Sequence, residues 1–357
     1  MRILVVSAPL LGHVFPLMPL ALALRKAGHD VVVATGGDAL KVHESGVDVE
    51  TVISDTHMGR LALRTMLAHP LAAKSEVDGA GDLRFVSHLF GAVGKRMIKG
   101  LSRLVTRWSP DMIVHEPLAA AAAVIAERHG IPAVVHDISL FDGVELTSAV
   151  AARMREPIAK PHAVLRTSPA SVADFSGGSP LRFVPYSGEG PVPDWLSTPS
   201  PRPRILVSRS TVSGPGGAKM MTAVAAAAGQ VDAEFVVVRP KSGEALPDNV
   251  RAVDWVPLTA VLPRCAAVVH HGGAGTTLSA LAAGIPQLIE PGVGDRTRHA
   301  SLVTARGAGL SATPSEITPE LLTRLIRDTG LARSAKEVSA EIAAMPSPTR
   351  VAARLTE

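Results

Sequence analysis

The densest set of ligand-binding residue types in the chain is His270 to Thr277, HHGGAGTT. It follows an apolar strand pattern and opens a helix pattern. Gly272, Gly273 and Gly275 let main-chain N–H groups come close to a ligand. The helix N-terminus adds partial positive charge, Thr276 and Thr277 add hydroxyls, and His271 adds a further donor. Such a set suits a phosphate or diphosphate; the plainer alternative is a tight strand–helix turn. GxxxxGK[ST] is absent, and Gly273-Ala274-Gly275 lacks the third glycine of GxGxxG, so neither a P-loop nor nicotinamide chemistry is supported.

Two further groups flank this loop in the expected fold, and a third lies in the first half of the chain. Trp255, at a strand's end shortly before it, could stack on a planar base or simply pack in the core. Asp295 and Arg296 follow the next strand, where ligands of open α/β sheets collect. Asp295 could accept hydrogen bonds from sugar hydroxyls or serve as a helix N-cap. In the first half of the chain, Gly12-His13 follows the first strand. That places an imidazole, a suitable general base near neutral pH, at the sheet's ligand-binding edge. Glu116 ends the fourth strand on the same edge, where a carboxylate can fix the imidazole's tautomer and stabilise its charged form. No DxD pair, HExxH or paired CxxC occurs, so no catalytic metal is expected. If a diphosphate leaves, His271 and the helix N-terminus must take its charge.

The elements that position these residues alternate between strand and helix. Ile3–Val6 is an all-apolar strand, 15–26 a helix, and Val31–Val33 a strand. Then come a long helix over 83–107, strand 112–114, an alanine-rich helix over 118–128 and strand 133–135. Residues 54–82 are less periodic and read as loops and short helices; 54–90 and 140–160 are expected to hold variable loops. Between Pro185 and Pro203 stand six prolines, a run that cannot be a helix or a central strand and reads as a linker. The alternation then restarts: strands 205–207, 235–238, 267–269 and 287–289, helices 217–229, 275–283 and 297–306, and a helical tail from Pro319. This pattern predicts two doubly wound α/β domains of Rossmann type facing a cleft, the default ligand site.

Composition narrows the class. With 357 residues, 46% hydrophobic and 19% charged, the chain can build two cores and is not disordered. Only 3% is aromatic, too little for a nucleic-acid stacking platform, and the net charge of +4 comes without a basic block. Cys265, the single cysteine, can form no internal disulfide and fits a reducing compartment. No run reaches the roughly 18–20 apolar residues of a membrane span, and the apolar start reads as a buried strand rather than a leader.

The combination resembles the family 1 glycosyltransferases of GT-B fold, most of all the actinobacterial enzymes that decorate polyketide, macrolide and enediyne antibiotics. The resemblance is carried by Leu10 to Thr35, LLGHVFPLMPLALALRKAGHDVVVAT, by the linker's VPYSGEGPVPDWL, and most specifically by Asp254 through Gly309. It implies that His13 deprotonates the acceptor hydroxyl and Glu116 orients it. It implies that the base packs on Trp255 and Val256, and that His271, Gly273, Gly275 and Thr276 hold the diphosphate with help from Thr211. Asp295 and Arg296 would read the donor sugar. Arg296 departs from the usual glutamine, Arg209-Ser210 from the usual Leu-Gly, and Ser279 from the ribose-binding glutamate of plant relatives. The last departure favours TDP-deoxysugars over UDP-sugars as donor.

The resulting expectation is an inverting, metal-independent glycosyltransferase. It needs no cofactor beyond its nucleotide-sugar co-substrate and has a hydrophobic natural-product aglycone as acceptor. Nucleic acid and stable membrane insertion are not expected; a cytoplasmic location is, and a homodimer is left open. The expected domains are residues 1–186 for the acceptor, a linker over 187–203, and 204–357 for the nucleotide sugar, the last helix packing back on the first domain. Two alternatives stay open: a GT-B-like nucleotide-sugar isomerase, and a non-catalytic auxiliary of a partner enzyme.

Overall fold

The computed structural model describes residues 1–54, 57–77, 83–209, 217–240 and 246–357. It forms two compact units. Unit 1 holds Met1–Ser168, Asp174–Gly188 and Met345–Glu357; unit 2 holds Pro169–Ala173 and Glu189–Ala344.

In unit 1 the strands are β1 (Arg2–Val6), β2 (Asp30–Gly36), β3 (Asp48–Ile53), β4 (Met112–His115), β5 (Ala133–His136), β6 (Ala163–Arg166) and β7 (Ser179–Pro180). They pair in parallel in the order β3-β2-β1-β4-β5-β6-β7. The central strands β1, β4 and β5 are apolar except at their ends, Arg2, His115 and His136, because helices cover both faces of the sheet. Alternate residues of β1 enter different cores: Leu4 and Val6 in one, Ile3 and Val5 in the other.

The helix expected over 15–26 is divided. It starts earlier as α1 (Leu11–Val14), tightens to a 3-10 turn at Phe15–Leu17 and continues as α2 (Met18–Lys26). Pro16 and Pro19 explain this: each lacks an N–H, and each sits in the first turn of its segment, where none is needed. Within 54–82, expected to hold loops and short helices, lie α3 (Met58–Ala68) and α4 (Pro70–Val77); α5 (Arg84–Trp108) and α6 (Ala121–His129) stand where helices were expected over 83–107 and 118–128. Within the other expected loop, 140–160, lies α7 (Gly143–Met154). The Asp142 carboxylate caps it by accepting from the N–H groups of Val144 and Glu145.

In unit 2, α8 (Asp194–Ser197) is a single turn within the proline-rich run, and its Leu196 is buried in the unit's core. The second sheet follows: β8 (Arg204–Ser208), α9 (Gly217–Ala228), β9 (Glu234–Val238), β10 (Val250–Val253), α10 (Leu258–Val261), β11 (Ala267–His270), α11 (Ala274–Ala283), β12 (Gln287–Ile289), α12 (Arg296–Ala305) and β13 (Gly309–Ser311). Its parallel order is β10-β9-β8-β11-β12-β13. Helices α13 (Pro319–Arg327) and α14 (Thr329–Ala344) close the unit. The chain then returns to unit 1 as α15 (Pro348–Leu355), whose Val351 and Ala352 are buried in the core that also holds Leu20 and Leu24 of α2. Among the described residues no helix is long and apolar enough to cross a membrane.

Candidate active site

Unit 1 contributes an imidazole held by a carboxylate. Strands β1 and β4 are parallel neighbours with Val6 opposite His115, so the chain leaves both strands on the same edge. His13 lies in α1, just after β1; Glu116 is the first residue past β4. Glu116 is fully buried. Its Oε1 accepts from the Ala8 N–H at 3.0 Å, and its Oε2 from the Leu118 N–H at 2.6 Å. These bonds hold the carboxylate where Oε1 stands 3.2 Å from His13 Nδ1. A carboxylate acceptor fixes the proton on Nδ1 and makes Nε2 the basic nitrogen. The His13 ring stacks on Phe90 of α5, with centroids 5.2 Å apart. At 18% exposure it is reachable, while its carboxylate is not.

Unit 2 contributes a loop pinned from beneath. His270, at the end of β11, is fully buried. Its Nε2 bonds Gln287 Oε1 at 2.8 Å, and its Nδ1 accepts from the Gly272 N–H at 3.1 Å. Burial, then neighbouring His271, pushes its pKa down to about 3, so the ring is neutral. His299 Nδ1 donates to the Gly272 carbonyl at 2.7 Å. Gly272 has φ +80°, and a Cβ there would strike the Ile289 side chain and the Arg296 backbone, so only glycine fits. Gly273 then takes the N-cap position of α11 and has no side chain with which to cap it. The first-turn N–H groups are therefore left to other acceptors, the arrangement an anion needs.

Around this loop, His271 is half-buried, and burial, followed by the charge of Arg296, drives its pKa down to about 4. It is thus a neutral hydrogen-bonding group at pH 7. Gly275 and Thr276 are half-buried in the first turn, whereas the Thr277 hydroxyl turns back to the Gly273 carbonyl at 3.0 Å. Asp295 occupies the N-cap position of α12, yet its carboxylate makes no cap hydrogen bond and lies 3.6 Å from His299 Nδ1. Arg296 bonds the Glu290 carboxylate at 2.6 Å, with the Arg296 and Glu290 side chains only 16% and 7% exposed. Trp255 is 39% exposed, with its ring laid against Gly190, where there is no room for a Cβ. Val256 is buried in the core, so it has only its main chain to offer a ligand. Thr211 lies outside the described residues.

Each unit thus gathers its own share of the expected residues: His13 with Glu116 in unit 1, and His271, Gly273, Gly275, Thr276 and Arg296 around one loop in unit 2. The sequence reading passed over Phe90, Gln287, Glu290 and His299. Only Glu290 carried a signal, an acidic residue at the end of an apolar strand. Arg239 was also passed over. It is the first residue past β9, with φ +52°, and burial and the charge of Arg209, the first residue past β8, lower its pKa.

Comparison with known proteins gives the class. The chain superimposes on the glycosyltransferase SnogD from Streptomyces nogalater with a TM-score of 0.85 and 33% identity, covering 100% of this chain and 98% of that one. It superimposes on SsfS6 from Streptomyces sp. SF2575, complexed with thymidine diphosphate, with a TM-score of 0.84 and 27% identity over 100% and 99% of the two chains. Two parallel-sheet Rossmann-like units with these neighbours define a GT-B glycosyltransferase.

The family follows from sequence. Residues 22–173 match the N-terminal domain, and 222–357 the C-terminal domain, of the erythromycin biosynthesis protein CIII-like family. The elloramycin glycosyltransferase ElmGT of Streptomyces olivaceus is 37% identical, over 99% of this chain and 97% of its own. The chain belongs to this family of antibiotic glycosyltransferases.

Proposed function

We propose that the protein transfers a deoxysugar from a TDP-activated donor to a hydroxyl of a hydrophobic natural-product aglycone, with inversion at the anomeric carbon. The observation that carries the reading is the reachable His13 imidazole on the buried, doubly anchored Glu116 carboxylate. His13 Nε2 takes the acceptor's proton as the acceptor oxygen attacks the anomeric carbon. The bond from that carbon to the diphosphate breaks, and TDP leaves. One displacement inverts the centre, and Glu116 stabilises the imidazolium that forms.

Unit 2 receives the leaving group. The N-terminus of α11, with Gly273, Gly275 and Thr276, and the neutral His271 bind the diphosphate; the helix N-terminus supplies positive charge without a metal ion. Trp255 offers its exposed ring to the base, Val256 its main chain, and Asp295 and Arg296 face the sugar, with Thr211 assigned to the phosphates. The TDP complex of SsfS6 supports the choice of nucleotide. The single, buried cysteine supports a cytoplasmic setting.

The test is His13→Ala, assayed for transfer and for TDP affinity by calorimetry. Transfer falls below detection while the dissociation constant for TDP stays within about twofold of wild type, a free-energy difference of roughly 0.4 kcal/mol. Full transfer in this variant would remove His13 from the mechanism. Absence of TDP binding in the wild type would remove the donor assignment.

A further inference from the structure

Helices α3, α4 and α5 of unit 1 present a face that none of the steps above uses. Leu61 and Thr65 turn one side of α3 inward. On its other side Leu63 and Leu67, four residues apart, are 58% and 75% exposed, and Leu71, in the first turn of α4, is 82% exposed. Single exposed leucines are ordinary, but three within nine residues gather on one corner of the molecule. His69 stands between Leu67 and Leu71, and its ring stacks on His88 of α5 with centroids 3.6 Å apart. The apolar corner therefore lies on the face of α5 that bears His88.

That face continues as a basic stripe. Lys95, Lys99 and Arg103 follow His88 by seven, eleven and fifteen positions, spacings that return to the same side of a helix, and all three are exposed. At a rise of about 1.5 Å per residue, Lys95 emerges roughly 10 Å beyond the corner. Helix α5 carries six Lys or Arg residues and no Asp or Glu, although Arg107 at its far end is bonded to Glu50. Helix α3 adds Arg60 and Arg64, both exposed, and likewise has no acid. Helix α4 is neutral, with Lys74 and Glu76; Asp78 and Asp82 lie outside the described residues. The surplus of positive charge on α3 and α5 exceeds the net +4 of the whole chain.

Exposed leucines beside cations of a single sign fit a partner that is anionic at its surface and apolar just beneath. Nucleic acid supplies the charge but no apolar layer for the leucines. A second copy related by a two-fold axis would set these cations against themselves. We propose that this face docks reversibly on an anionic lipid bilayer. Leu63, Leu67 and Leu71 enter the boundary between headgroups and acyl chains, and Arg60, Arg64, Lys95, Lys99 and Arg103 lie against the headgroup phosphates. The proposal does not rest on the transfer reaction, and the two can fail separately.

The experiment uses the full chain, sedimented with vesicles of phosphatidylcholine containing about 30% phosphatidylglycerol and, in parallel, with vesicles of phosphatidylcholine alone. The protein partitions onto the anionic vesicles at least tenfold more strongly, and this partitioning weakens when salt is raised to about 0.5 M. Leu67→Ser with Leu71→Ser, and separately Lys95→Glu with Lys99→Glu, each lower it at least tenfold. All four positions are exposed, so the thermal midpoint stays at the wild-type value. Equal partitioning onto both kinds of vesicle, or onto neither, overturns the proposal. So does a leucine variant that partitions like the wild type, since any polyanion, an acidic protein included, would then serve. A wild-type dimer that Leu67→Ser with Leu71→Ser turns into a monomer assigns the face to a second copy and overturns the proposal as well.

Discussion

Replacing Glu116 by glutamine tests the acid–base assignment more sharply than removing His13, because it changes one charge and almost no volume. The carboxylate faces the imidazole at 3.2 Å. With an effective dielectric constant of about 20, a unit charge pair at that separation is worth roughly 5 kcal/mol. This stabilisation exists only when His13 is protonated, that is, as the acceptor loses its proton. The amide keeps a neutral hydrogen bond worth about 1 kcal/mol, so about 4 kcal/mol of transition-state stabilisation is lost, or roughly a thousandfold in kcat.

The two carboxylate oxygens sharpen the prediction. Both accept main-chain N–H groups, from Ala8 and from Leu118. A glutamine must therefore set its own NH2 against one of them. With NH2 at the Oε1 position it also donates to His13 Nδ1 and moves the ring proton to Nε2, the wrong nitrogen for a base. With NH2 at the Oε2 position it opposes the Leu118 N–H at the shortest of these contacts. Either arrangement costs about 1–3 kcal/mol of stability. The assay measures kcat and KM for sugar transfer, TDP affinity by calorimetry, and the thermal midpoint as a check on folding. A kcat within tenfold of wild type, in a variant that folds and binds TDP normally, refutes the reasoning.

Other perturbations follow from the same geometry. Gly190→Ala puts a Cβ into the Trp255 ring, so it weakens TDP binding by calorimetry while leaving inorganic pyrophosphate unaffected; equal losses for both would detach Trp255 from the base. Arg296→Met strips the partner from the buried Glu290 carboxylate and lowers stability in urea by about 3–5 kcal/mol; adding Glu290→Gln recovers part of it, and no recovery means the ion pair is not the cause. Burial holds the folded-state pKa of His136 at about 4, His270 at about 3 and His271 at about 4, against 6.5 when unfolded. Below pH 6.5 the unfolded chain binds more protons, so this stability is complete above about 6.5 and is lost as the pH falls towards 4. The urea midpoint is therefore lower at pH 5 than at pH 7.5, and a flat profile would mean these rings are not buried neutral.

The central strands of both sheets were legible because they are covered on both faces and can be apolar throughout. Ile3–Val6, Phe235–Val238 and Ala267–Val269 leave no other reading. The edge strands were less so: β3 was not read as a strand, and β10 only by its end before Trp255. β3, DVETVI, and β10, VRAV, lie at one edge of their sheets and leave polar residues partly or fully exposed, which blurs the apolar run that marked their neighbours. Helix α7 escaped for a related reason: a region expected to vary with the acceptor was read as loop, although Asp142 and the spacing of Leu146, Val150 and Met154 mark a capped, amphipathic helix.

Within the site, what the sequence revealed is what strand topology dictates. His13 and Glu116 could be paired in advance because parallel strands deliver both residues to one edge, and HHGGAGTT because a strand–glycine–helix junction leaves N–H groups to other acceptors whatever surrounds it. The supporting layer had no such signal. That His270 bonds Gln287 seventeen positions away, or that His299 holds the Gly272 carbonyl from α12, depends on which side of a strand or helix each residue faces and how closely the elements pack. Those contacts nonetheless fix the loop. Gly272 is held through its N–H by one histidine and through its carbonyl by another, so its positive φ is set before any ligand arrives. The first turn of α11 is thereby aimed in advance, and binding an anion there need not include the cost of ordering the loop. The fold thus separates two adjacent histidines, of which the sequence singled out His271 as a candidate donor: His270 spends both ring nitrogens on the scaffold, which leaves His271 as the one proposed for the ligand.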